Sequence, residues 1–168
     1  MSFYKKLATV FALSLSSISL AQPPAPPSIF PRGCESSDFA FQKNFLVLNQ
    51  FGKQSFYLIQ NHSNQAIELE HYETKPDAFM SPKLEAKLGP SHWSAFASDI
   101  PHLYFQCFVR QQDGDTRVEI NCSDVLDVCK YPRVKFALSN QGNYWVSTDK
   151  VRQQVLTDAT AKGIFLHW

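Results

Sequence analysis

From Cys34 onward, apolar and polar residues alternate with a period of two, the pattern of strands with one buried face. In "AIELEHY", Ile67, Leu69 and His71 fall on one side, and Glu68 and Glu70 on the other. "HLYFQCFVRQ" aligns Leu103, Phe105, Cys107 and Val109, and "TRVEINC" aligns Val118, Ile120 and Cys122. "DFAFQKNFLVLNQ" reads as one strand with Phe39, Phe41, Phe45 and Val47 on a single face, interrupted by Lys43. "SFYLIQN", "HWSAFAS", "VLDVCKY", "RVKFALS" and "GNYWVS" supply further short strands. Asn61-His62-Ser63-Asn64 and Gln112-Asp113-Gly114-Asp115 have turn compositions, so the flanking strands form hairpins.

Two segments depart from the alternation. In "SPKLEAKLG", Ser81 suits an N-cap, Pro82 the first helical position and Gly89 the stop, with Leu84 and Leu88 four apart. This predicts a short inserted helix. In "TDKVRQQVLTDATAKG", Val151, Val155 and Ala159 recur every four residues between a Thr148 cap and Gly163, which predicts a C-terminal helix. Many short strands without alternating helices indicate an all-β, antiparallel protein. An immunoglobulin-like β-sandwich fits first and a small β-barrel second.

The first residues bear on compartment. Lys5 and Lys6 precede an uncharged run from Leu7 to Leu20, and Ser19-Leu20-Ala21 offers a small-x-small cleavage site. This is the plan of a secretory signal peptide over residues 1–21, too short to span a bilayer comfortably. Residues 22–33, "QPPAPPSIFPRG", read as a stiff, extended, proline-rich leader. Residues 34–168 then form a single domain, large enough for a real core. The chain has 16 basic and 15 acidic residues. A near-neutral domain without a basic run offers nothing to nucleic acid, and no later stretch suits a stable membrane span.

Cys34, Cys107, Cys122 and Cys129 all follow the signal segment. An even count in an exported chain indicates two disulfides, and the absence of any C-x-x-C argues against zinc or redox chemistry. The expected pairs are Cys107–Cys122 and Cys34–Cys129. Cys107 and Cys122 lie on the apolar faces of hairpin-linked strands. A four-residue loop at 113–116, or a two-residue loop at 114–115, sets them directly opposite. A loop at 113–114 offsets them by two.

Candidate chemistry is sparse. His71 reads as a core histidine and His62 as a solvated one, so no metal or other cofactor is expected. No G-x-S-x-G motif, phosphate loop or EF-hand loop is present, and no catalytic residue can be named. Trp93, Trp145 and Trp168 suggest core packing before a sugar-stacking platform. "NHS" and "NCS" match the N-glycosylation pattern. The segment from Glu73 to Pro90 is long for a connection between strands. It places Phe79 and Met80 before the predicted helix, whose exposed residues are Leu84 and Leu88. These four are the candidate interaction residues.

"CESSDFAFQKNFLVL", "FYLIQNHSNQAIELEHY", "GPSHWSAFA", "FQC", "CSDVLDVCKY" and "GNYWV" resemble the EnhB-type proteins of intracellular bacterial pathogens, over roughly Cys34 to Ile164. The resemblance implies a periplasmic or secreted protein-interaction module, without enzyme activity, that promotes uptake into or survival in host cells. Its partner would be another exported protein of the same cell or a host surface component. The alternative is a periplasmic cell-wall or glycan-binding protein, with hydrolysis as a variant of that reading.

Overall fold

The computed structural model describes residues 29–36, 41–42, 44–49, 55–75, 81–98, 102–111, 114–131 and 144–167. The signal segment, Phe39, Phe79, Met80, Trp168 and the "RVKFALS" strand lie outside these residues. In chain order the strands are β1 (Glu35–Ser36), β2 (Phe41–Gln42), β3 (Phe45–Asn49), β4 (Ser55–Asn61), β5 (Ile67–Tyr72) and β6 (Leu84–Leu88). Then come β7 (Trp93–Ser98), β8 (His102–Arg110), β9 (Arg117–Ile120), β10 (Leu126–Tyr131) and β11 (Tyr144–Lys150). Helix α1 (Arg152–Ala161) follows.

The strands form two antiparallel sheets that do not close into a barrel. One runs β1-β10-β4-β7-β11, the other β2-β3-β8-β5-β6, with β9 paired to the second half of β8. We call them the capped and the open sheet. Their facing sides enclose the main core: Tyr57, Ile59, Phe96, Leu126 and Val128 from the capped sheet, and Leu46, Leu48, Ile67, Leu69, Leu103, Phe105 and Cys107 from the open one. Phe96 meets Phe105 and Trp145 edge-on, with ring centroids 5.3 and 4.8 Å apart.

A second apolar cluster lies on the outer side of the capped sheet. Phe56, Leu58, Trp93, Ala95, Ala97, Cys129 and Val146 pack under Val155 and Ala159 of α1 and under Ile164. Strands buried on both faces lose the alternation, and β4 and β7 are buried along almost their whole length. Helix α1 starts after Val151 rather than at Thr148, because β11 continues to Lys150, which pairs with Trp93. It ends at Gly163 as expected: φ is +77° there, and the Ile164 amide returns to the Ala159 carbonyl at 2.9 Å.

Two further readings are corrected. The inserted helix is instead strand β6. "LEAKL" satisfies period two as well as period four, and the β5 ladder from Ile67↔Leu88 to His71↔Leu84 settles it. A run of five residues makes too few internal hydrogen bonds to compete. The long strand over "DFAFQKNFLVLNQ" is instead two antiparallel strands, with Gln42 paired to Phe45 and Phe41 to Leu46. The reversal turns Leu46 and Leu48 inward. The described end of the proline-rich leader packs on the domain. Phe30 stands edge-on to Trp93 at 5.9 Å, and the Arg32 amide donates to the His167 carbonyl at 2.7 Å.

Cys34 bonds Cys129 and Cys107 bonds Cys122, leaving no free cysteine. The hairpin register is the offset one, with Cys107 opposite Ile120. The Gln111 amide donates to the Thr116 carbonyl at 2.9 Å, one step beyond the Arg110↔Arg117 pair. Cys122 reaches Cys107 because the chain leaves β9 and folds inward in a 3-10 turn, Cys122–Asp124. The Cα atoms are then 5.4 Å apart.

Candidate functional site

Among the described residues, no helix or second layer covers the outer side of the open sheet. Its residues are the polar half of each alternation. The ladders place Lys87, Glu68, Phe108 and Glu119 in one row, and Glu85, Glu70 and Gln106 in the next. Beyond the first row, Arg110 stands opposite Arg117 in the β8–β9 hairpin.

Like charges opposite one another destabilise a sheet, and this face has two such pairs, Arg110↔Arg117 and Glu70↔Glu85. A shared network relieves the first. Arg110 Nε donates to Glu68 Oε1 at 2.5 Å, and Arg117 Nε to Glu68 Oε2 at 2.9 Å. Arg117 also donates to Glu70 Oε1 at 2.6 Å, and Tyr72 gives its hydroxyl proton to Glu70 Oε2 at 2.7 Å. Glu70 is nearly buried, and without these donors its charge would be costly there. The Arg117 guanidinium lies 4.3 Å over the Phe108 ring. Burial works against its charge, but Glu70 and Glu68 outweigh that and hold its pKa above the usual value. Burial, with the bond and charge of Glu70, pushes the Tyr72 hydroxyl up. Glu68, Glu70, Arg110 and Arg117, with Leu69, Glu85, Ala86 and Lys87, line a shallow cavity of about 230 Å³.

A different cluster ties the two sheets together at one corner. Asp149 Oδ1 accepts from the Gly89 amide at 2.6 Å and meets His92 Nδ1 at 2.7 Å. The Asp149 amide donates to Ser94 Oγ at 3.2 Å, with Asp149 itself at φ +53°. Partial burial raises the Asp149 pKa, but the Gly89 amide, His92 and Lys87 outweigh it and leave the carboxyl below its ordinary value. A Cβ at Gly89 would come within 2.9 Å of His92 Nδ1, so the corner needs glycine there. No nucleophile stands against this His–Asp pair in the described contacts.

The candidate interaction residues fare differently. Leu88 is fully buried, and Leu84 is half-buried against the same core, so neither anchors a partner as an exposed side chain. The period-two register of β6 sends both inward. Trp93 is buried beneath Phe30, and Trp145 packs against Phe96 and Phe105 inside the sandwich, which removes them from any sugar platform. His71 is a core residue between Phe96 and Phe105, and burial pushes its pKa down to about 4. Among the described residues no group of three His, Cys, Asp or Glu side chains could hold a metal. Asn61 cannot be a glycan acceptor in the fold. It is fully buried, and its Nδ2 donates to the carbonyls of Gln65, Leu88 and Gly89 at 2.6, 3.0 and 3.0 Å. Asn121 is exposed.

Sequence reasoning missed Glu68, Glu70, Arg110 and Arg117. The signal for them was present. The turn at 112–115 sets two arginines face to face, and such a pair requires acidic side chains from the neighbouring strand, which the outward half of "IELEHY" supplies.

No protein-family model, curated protein or solved structure matches this chain. Two disulfides fit an oxidising, extracytoplasmic environment.

Proposed function

We propose that the chain is an exported, non-catalytic protein-interaction module of the EnhB type, periplasmic or secreted, that promotes uptake into or survival in host cells. Its partner is another exported protein of the same cell or a host surface component. The observation that carries this reading is the outer side of the open sheet. There, a preorganised network of Glu68, Glu70, Arg110 and Arg117 lines a solvent-open cavity, while the capped sheet has its outer side sealed by α1. Charges already held in place lose little freedom when a partner of complementary charge arrives, which favours specific association.

Site-directed photocrosslinking in the native cell tests it. A photoreactive residue at Glu119, on the open face, should capture one defined exported or host-surface protein. The same residue at Thr160, on α1, should not. Equal capture from both positions would sink the assignment to this face. Retention on peptidoglycan without protein capture would replace the reading with a cell-wall one.

A further inference from the structure

Strand β6 ends the open sheet, and among the described strands it pairs only with β5. It is also the longest regular edge. β1 and β2 have two residues each and β9 has four, while β11 is broken by two register shifts. Bulges and short strands blunt an edge against further pairing, and β6 has neither device.

Its charges are less firmly engaged than those of β5. Glu68 is taken by Arg110 and Arg117, and Glu70 by Arg117 and Tyr72. Glu85 and Lys87, both exposed, carry no hydrogen bond or salt bridge among the described residues. Glu85 even faces Glu70 across the ladder. Two opposite charges, two residues apart on an edge that pairs on one side only among the described strands, are self-complementary. We infer that β6 is a homodimer interface, pairing antiparallel with β6 of a second copy about a two-fold axis at Ala86.

The register follows from the side chains. Centred on Ala86, the pairing sets Glu85 opposite Lys87 of the second copy and Lys87 opposite its Glu85, all on the outer face. Leu84 then falls opposite Leu88 of the second copy on the inner face. Centring on Glu85 or on Lys87 would oppose like charges, and a one-residue slip would exchange the two faces. The interface is isologous, joins two open sheets into one, and stands independently of the reading in the preceding subsection.

Sedimentation velocity on the purified chain, up to millimolar concentration, tests this. A concentration-dependent dimer weakened by salt is expected. Glu85→Lys alone and Lys87→Glu alone should each raise the dissociation constant about ten-fold or more, since two symmetry-related pairs change sign. The double variant Glu85→Lys/Lys87→Glu restores both pairs and should restore association. A monomer throughout, a dimer indifferent to the single reversals, or a double variant that stays dissociated would each overturn the interface.

Discussion

The two outer faces of this sandwich are made from strands of similar length, yet they solve opposite problems. The capped sheet presents Phe56, Leu58, Ala95 and Val146 outward and hides them under α1, the Phe30 segment and the Cys34–Cys129 bridge. The open sheet presents Glu68, Glu70, Arg110 and Arg117, which pair with one another rather than lie under a second layer. On the first face stability comes from area removed from water. On the second, opposite charges offset the like pairs that the ladder sets side by side. Apolar residues tolerate any close-packed neighbour, whereas the charged face works only in its own register.

The largest effect should separate the two bridges. By loop-closure entropy, removing Cys34–Cys129, whose partners lie 95 residues apart, should cost about 4–5 kcal/mol. Removing Cys107–Cys122, 15 residues apart, should cost about 3 kcal/mol. Urea midpoints of the two Cys→Ala pairs measure the difference. Equal losses would mean that the cap contributes no more than the core hairpin.

A smaller effect tests the strand that carries both characters. β5 turns Glu68 and Glu70 outward and His71 inward. Buried His71 stays neutral to a pKa of about 4, against 6.5 for an exposed histidine. The unfolded chain therefore binds the extra proton first as pH falls, and stability is lost between about pH 6.5 and pH 4. That loss should approach roughly 3 kcal/mol at the acid end of the window. His71→Leu should flatten this slope in urea titrations at pH 7 and pH 5. A slope unchanged in the variant would place its origin elsewhere.

The smallest effect belongs to the open face. Arg117→Met keeps most of the stem over Phe108 and removes the charge, leaving Glu70 with Tyr72 alone. We expect a loss of about 1 kcal/mol, reduced further by salt. A loss as large as that of a disulfide would mean the network holds the fold rather than a surface.

Much of the sandwich was legible because alternation reports burial directly. β4, β5, β7, β8, β10 and β11 all coincide with segments read as strands, and so does the end of the C-terminal helix. What was illegible depended on competition. β6 satisfied both periods over five residues, and only its neighbour β5 decided between them. The β2–β3 reversal has no glycine to mark it, so the run looked continuous. The two bridges pair as expected, but the Cys107 register shows the limit. The pairing followed from the shared hairpin, while the offset depended on where the ladder ends. The charged site was the least visible, since Glu68 and Arg110 are 42 positions apart and meet only through the order of strands in the sheet.

The nested arrangement of the bridges has a consequence for biogenesis. A chain delivered amino terminus first presents Cys34 alone, then Cys107, then Cys122, then Cys129. Oxidation in order of emergence would join Cys34 to Cys107 and Cys122 to Cys129, neither of which is a native pair. The native pattern requires Cys34 to wait for the last cysteine or a wrong bond to be reshuffled by thiolate attack. Where oxidation outruns the arrival of Cys129, an oxidant alone leaves wrong pairs, and only thiol–disulfide exchange leads from them to the native ones.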